Sequence, residues 1–141
     1  MTFLKKAGSV SALVLAAALL GTVHGRAAGS SVTFTAGQVS VGAAAFQTHC
    51  SACHGTNLEG GAGPALTGPN FKTLSTKVKA KVSDIFGYMT MNMPLNEPAS
   101  LSHTEYVNIL AFILSKNGYR PGRAPLTFAS ANASTAPIVR P

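Results

Sequence analysis

The stretch "HCSACHG", residues 49–55, contains both cysteines of this 141-residue chain and places a histidine directly after the second one. Sites of three kinds use two cysteines at this spacing: a redox disulfide, a zinc ion and a covalently attached haem. The choice among them matters for the fold, because a small domain usually needs a disulfide, a metal or another aid besides its apolar core.

The residues around the pair favour haem. A disulfide oxidoreductase would carry the pair in a βαβ scaffold, and the sequence shows none. Zinc needs four ligands in a tetrahedron, whereas His49, Cys50, Cys53 and His54 are crowded together and no second Cys/His pair lies elsewhere. Cys-x-x-Cys-His is the attachment signature of c-type haem, in which the thiols bond the haem and the histidine lies under the iron. Haem is the favoured interpretation, with the disulfide and zinc as the remaining alternatives.

The first 27 residues have the layout of a secretory signal peptide. A positive start, Met1–Lys6, is followed by an apolar run over Ala7–Leu20 and by small residues around Gly25–Ala28. The apolar run is shorter than the roughly 20 residues that cross a membrane. We therefore predict that residues 1–27 are cleaved on export and that the mature protein is periplasmic, with no permanent membrane anchor.

Export also changes the charge. The full chain has a formal net charge of +7, and loss of Lys5, Lys6 and Arg26 lowers it to about +4. One local basic stretch remains, which is either a solvated face or a surface that docks an acidic partner; it consists of Lys72, Lys77, Lys79 and Lys81. Nucleic acid is not an expected partner, because no aromatic residues alternate with these lysines.

The mature chain divides by composition into three parts. Residues 28–38 are a short extension rich in Ser, Thr, Gly and Ala, and residues 39–122 are the compact domain. Residues 123–141 form a Pro/Ala/Ser-rich tail without a helical period, which predicts a mobile or surface-wrapping segment. Its apolar side chains, Leu126, Phe128, Ile138 and Val139, provide a means of docking.

Three helices and a possible fourth are predicted within the domain. Ser40 can cap a helix over residues 41–54, and Ser83 can cap one over residues 84–92 that ends before Pro94. Ser102 and Glu105 form a capping box for a third helix, which Asn117-Gly118 ends. The possible fourth lies in residues 73–82. Gly- and Pro-rich loops are expected at 55–70 and 95–101, and no strand is expected.

Four motifs resemble one family. They are "CSACHG" at 50–55, "GAGPALTGPNF" at 61–71, "MNMP" at 91–94 and "SLSHTEYVNILAFILSKNGYRPG" at 100–122. Together they resemble the mono-haem bacterial class I c-type cytochromes, and the last is similar to cytochrome subunits associated with quinoprotein dehydrogenases. The resemblance implies a small all-α cytochrome c fold, in which three to four helices and long loops surround one covalently bound haem c.

The resemblance also implies the site residues. Cys50 and Cys53 would bind the haem, and His54 and Met93 would coordinate the iron from opposite sides. Pro64 matches the position whose carbonyl binds the other ring nitrogen of the histidine, a bond that would orient the ring. Met93 ends a helix directly before Pro94, where its side chain can leave the helix, whereas Met91 and His103 are weaker candidates for the sixth ligand.

These ligands predict the function. With both axial positions filled, neither substrate nor oxygen has an open site, so the iron would change valence by one electron and the protein would not be an enzyme. We expect a periplasmic electron carrier between redox partner proteins, with a dehydrogenase such as a quinoprotein dehydrogenase as donor and a respiratory acceptor such as a terminal oxidase. The alternative is a haem c sensor or enzyme whose sixth site is open or displaceable.

Overall fold

The computed structural model describes Thr2 and residues 32–141, and this part of the chain is helical. The helices are α1 (Ala36–His49), α2 (Ser51–His54), α3 (Gly68–Lys77), α4 (Val82–Asn92), α5 (His103–Lys116) and α6 (Phe128–Asn132). The described residues contain only one isolated β-bridge, between Lys81 and Pro137. The all-α fold is therefore confirmed, whereas the predicted signal peptide lies outside the described residues apart from Thr2.

The core is centred on the crossing of α1 and α5. Gly42 of α1 meets the backbone of α5 so closely that an added Cβ would lie 1.8 Å from the carbonyl oxygen of Asn108. Next to this contact, the rings of Phe46 and Phe112 lie 5.4 Å apart between centroids. The unbroken run Tyr106–Leu114 of α5 is buried, so this helix is enclosed on all sides over that run.

The first helix starts earlier than predicted and is interrupted. Thr35, not Ser40, is its N-cap: the Thr35 hydroxyl accepts from the Gln38 amide at 3.2 Å, and the Gln38 side chain accepts from the Thr35 amide at 3.1 Å. The helix ends at His49, because Cys50 has a non-helical backbone with φ −127°. The chain then resumes as the single turn α2, which carries the cysteine and histidine side chains of the motif.

The other helix starts agree with the sequence to different degrees. The capping box of Ser102 and Glu105 is present at the start of α5, as predicted. At α4, however, Ser83 lies inside the helix, and the Asp84 carboxylate accepts from the Lys81 amide at 2.9 Å instead. The possible helix in residues 73–82 is α3, which begins within the predicted loop because Pro69 suits a first turn.

The chain after Gly122 packs back onto the helices. Four of its side chains are buried, namely Leu126, Ala131, Ala136 and Ile138. The carbonyls of Ala136 and Ser134 accept from the amides of Val82 and Ser83, which belong to the first turn of α4 and have no partner within that helix. This segment also contains α6, which the composition did not indicate. The domain boundaries at 38/39 and 122/123 stay predictions.

Among the described residues, no helix is both long enough and apolar enough to cross a membrane.

Candidate functional site

The two thiols and the imidazole of the motif lie at the junction of α1 and α2. The Cys50 amide donates to the Phe46 carbonyl at 2.9 Å, and the His54 amide donates to the Cys50 carbonyl at 3.0 Å, so the motif occupies one turn anchored on α1. Cys50 is half-buried, Cys53 is exposed, and both are free thiols. The structure therefore brings together three of the four predicted site residues, Cys50, Cys53 and His54.

The His54 imidazole is buried and held in one orientation. Its Nδ1 lies 2.7 Å from the carbonyl oxygen of Pro64, which is the bond that the resemblance implied. A carbonyl oxygen can only accept, so Nδ1 carries the proton and Nε2 presents a lone pair. A histidine fixed in this tautomer is prepared to bind a metal through Nε2.

The loop after the motif wraps around this turn. The amides of Gly60 and Gly63 donate to the carbonyls of His54 and Cys53, each at 2.8 Å. A Cβ added to Gly63 would lie 3.1 Å from Cε1 of His54, so glycine lets the backbone pass close to the ring. Leu58 has a φ of +64° and is completely buried in the same loop. The loop thus contacts the imidazole on the Nδ1 side, away from Nε2.

The structure disfavours the two alternatives to haem. Burial, with a smaller contribution from Cys53, raises the pKa of the Cys50 thiol to about 11. The thiolate is the reactive form in a redox-active dithiol, and the buried Cys50 thiol does not provide it readily. A zinc site needs further ligands, and the described residues contain no group of three or more His, Cys, Asp or Glu arranged to hold a metal ion.

Met93 lies on a separate element, at the C-cap of α4. Its backbone is extended, with φ −118° and ψ 150°, and its amide donates to the Met89 carbonyl at 3.0 Å. Its carbonyl accepts from the buried hydroxyl of Tyr106 on α5 at 2.6 Å. The Met93 side chain is partly buried and packs against the core.

The two weaker candidates for the sixth ligand lie elsewhere. Met91 is 72% exposed on the outer side of α4. His103 is exposed at the start of α5, where its ring stacks on Phe128 with centroids 3.7 Å apart. Of the two methionines, only Met93 packs against the core.

Two residues that shape the site were not identified from the sequence. The helical spacing of Tyr106, Ile109, Leu110 and Ile113 puts Tyr106 on an apolar face of α5, but spacing does not reveal which group its hydroxyl binds. Gly63 was one glycine among several in a predicted loop, and its approach to His54 depends on how that loop folds. Neither contact leaves a local signal, because each joins segments that are separate in the sequence.

The residues present fit a haem. Two neighbouring thiols can form thioether bonds, and Nε2 of His54 and the thioether of Met93 are both iron ligands that c-type haem uses. Apolar side chains are also available to cover such a group. Leu74 and Val78 lie on the same side of α3 and its C-cap as the buried Phe71, at helical spacing, and each is 61% exposed.

Comparison with known proteins gives two matches. Residues 37–113, from α1 to α5, match the family described as cytochrome C oxidase, cbb3-type, subunit III. A Synechocystis protein described as cytochrome c-553-like is 30% identical over 104 residues, which cover 74% of this chain and 96% of that protein. No solved structure matches.

Both matches are to cytochromes c, and the family match covers more than half of the chain. Members of this family carry covalently bound haem c, and they transfer electrons to and from redox partner proteins rather than acting as enzymes. The paired cysteines at 50 and 53 provide the thiols for that bond. The chain therefore belongs to the cytochrome c family and is a mono-haem electron carrier.

Proposed function

We propose that this cytochrome binds its haem through Cys50 and Cys53 and coordinates the iron with His54 and Met93. A haem iron between an imidazole and a thioether exchanges single electrons, and the thioether raises its reduction potential. The site residues have separate roles in this arrangement. The cysteines would hold the group to the chain, and the bond from His54 to Pro64 would orient the imidazole and increase its basicity.

The observation that carries the proposal is the contrast between Met93 and Met91. The two methionines are two residues apart, yet Met93 packs against the core whereas Met91 faces solvent. The amide and the carbonyl of Met93 are both hydrogen-bonded, to the Met89 carbonyl and the Tyr106 hydroxyl. A thioether ligand has to stay at one place to exclude other ligands from the iron. Met93 meets this condition, and it supports a carrier with a closed site over a sensor or enzyme with an open one.

We also propose the setting in which the protein works. The signal-peptide layout of residues 1–27 supports export and a periplasmic location. The resemblance of residues 100–122 to cytochromes associated with quinoprotein dehydrogenases supports a dehydrogenase as electron donor, with a respiratory acceptor such as a terminal oxidase. Lys72, Lys77 and Lys79 are exposed on or directly after α3, where they would raise the rate of encounter with an acidic partner.

The test uses the exported, purified protein and two methionine variants. Its mass should equal the chain without residues 1–27 plus one haem. Carbon monoxide should bind the reduced wild-type protein slowly, because Met93 must first leave the iron. Met93→Ala should bind it at least tenfold faster and change the visible spectrum.

Met91→Ala is the matched control and should behave as wild type. A mass equal to the bare polypeptide would overturn the haem attachment. Rapid carbon monoxide binding by the wild type, or a Met93→Ala protein that binds it no faster, would overturn the closed site with Met93 as ligand.

A further inference from the structure

We propose that Tyr106 is a positioning residue for Met93: its hydroxyl holds the Met93 carbonyl and so keeps the methionine side chain at the iron. The inference rests on the proposed function, because it requires Met93 to be the sixth ligand. Tyr106 is 2% exposed and its hydroxyl donates to the Met93 carbonyl at 2.6 Å. A buried phenol hydroxyl requires a hydrogen-bond partner. For Tyr106 this partner is the carbonyl of Met93, the residue whose side chain must stay at the iron.

The connection matters because, beyond the buried Pro94, the chain that follows Met93 is exposed. Met93 is the last residue bonded to α4, through its amide to the Met89 carbonyl. Pro94 then ends the helix, and residues 95–100 are all exposed. Tyr106 lies in the buried run of α5, so its hydroxyl ties the Met93 backbone to the most enclosed helix of the molecule.

The Tyr106 bond would therefore shift the equilibrium between two states of the site, one with Met93 bound to the iron and one with Met93 displaced. When Met93 is bound to iron, an added ligand must wait for it to leave. The apparent affinity for that ligand then depends on the fraction of molecules in which Met93 is displaced. A hydrogen bond that stabilises the iron-bound position of Met93 lowers this fraction. The typical net free energy of one hydrogen bond corresponds to a change of about three- to tenfold in the fraction.

The experiment compares Tyr106→Phe with Tyr119→Phe in the full, haem-loaded protein. The Tyr119 hydroxyl donates to the Pro137 carbonyl at 2.5 Å, which is the same kind of bond in a different place. We expect Tyr106→Phe to raise the affinity of the oxidised protein for imidazole about three- to tenfold. We expect Tyr119→Phe to leave that affinity unchanged, although both variants lose stability in denaturant.

A double variant separates this inference from the proposed function. Tyr106 acts through Met93, so adding Tyr106→Phe to Met93→Ala should not raise imidazole affinity any further. If Met93→Ala itself leaves the affinity unchanged, the ligand assignment fails and this inference fails with it. If Met93→Ala raises the affinity but Tyr106→Phe matches wild type, or if Tyr119→Phe has the same effect as Tyr106→Phe, the positioning role alone is overturned.

Discussion

Gly42 lies at the point where the backbones of α1 and α5 come closest. A Cβ there would be 1.8 Å from the Asn108 carbonyl oxygen and 2.4 Å from its carbon. Both are backbone atoms of a buried helix, so neither can rotate out of the way. The close crossing of the two helices therefore depends on the absence of one methyl group.

Gly42→Ala should consequently destabilise the protein by about 3 kcal/mol or more, since overpacking forces the helices apart. Alanine's better helix propensity, worth about 1 kcal/mol, offsets only part of this loss. The measurement is the free energy of unfolding in denaturant, followed by circular dichroism.

The control is Gly37→Ala, in the first turn of the same helix. Its Cβ would meet only the Thr35 hydroxyl oxygen, at an ordinary 3.8 Å. This variant should be as stable as wild type or slightly more so. Equal effects at both positions would show that the helix crossing is not as close as described.

The site residues differ in how far the sequence alone could predict them. Cys50, Cys53 and His54 are contiguous, so their spacing carries the chemistry directly. The bond from His54 to Pro64 followed from the resemblance, and the structure contains it. The Tyr106 hydroxyl could not be assigned, because its partner is the Met93 backbone, and backbone carbonyls are the same in every residue.

At the scale of elements, the capping box of α5 is the clearest local signal. The Ser102 hydroxyl accepts from the Glu105 amide at 3.3 Å, and the Glu105 carboxylate accepts from the Ser102 amide at 2.9 Å and from its hydroxyl at 2.7 Å. The side-chain bond from Ser102, followed by the backbone bond, lowers the pKa of the Glu105 carboxyl below its usual range. The cap is therefore strongest when Glu105 is ionised.

Ser102→Ala should lower the free energy of unfolding by about 1 kcal/mol at pH 7. Because the folded-state pKa of Glu105 is lowered, its contribution is present above the unfolded-state pKa and disappears as the pH falls through the folded-state value. The difference between wild type and variant should therefore shrink on acidification. Thermal unfolding of both proteins from pH 7 down to pH 3 measures it.

Thr104→Ala, an exposed change in the same turn, provides the comparison and should alter stability by less than about 0.5 kcal/mol at any pH. A Ser102→Ala difference that stays constant with pH would contradict the ionised carboxylate as part of the cap.

The helix starts show why some elements were predicted correctly and others were not. The box at Ser102 needs only residues three positions apart, and it was found. The box at Thr35 is equally local, but Gln38 also donates to the Leu126 carbonyl at 2.9 Å and accepts from the Leu126 amide at 2.9 Å. That second role, 88 residues away, favours Thr35 over Ser40 as the start of α1, and a local pattern cannot show it.

For the molecule as a whole, the chain after Gly122 is part of the packed structure. Ile138 is completely buried, and its amide donates to the Ala80 carbonyl at 3.0 Å, directly before α4. The Arg140 amide donates to the Asn117 carbonyl at 2.9 Å, at the end of α5. The composition of this segment could not distinguish a mobile tail from one that wraps the surface. The contacts that order the segment are made with residues distant in the sequence, and composition does not show them.

Ile138→Ala should therefore cost about 2–5 kcal/mol, the usual range for removing a large buried aliphatic side chain. Chemical unfolding of the haem-loaded protein measures the change. Arg123→Ala alters an exposed residue of the same segment and should have little effect. If the two variants were equally stable, the tail would not be packed on the core in solution.

The position of these contacts along the chain has a consequence for biosynthesis. The carbonyl that completes the start of α4 belongs to Ala136, and synthesis proceeds from the N-terminus. A nascent chain thus contains residues 50–54 well before it contains the segment that completes the start of α4. The fold as described cannot close until residue 136 has been synthesised, so the cysteine pair belongs to an incompletely folded chain up to that point.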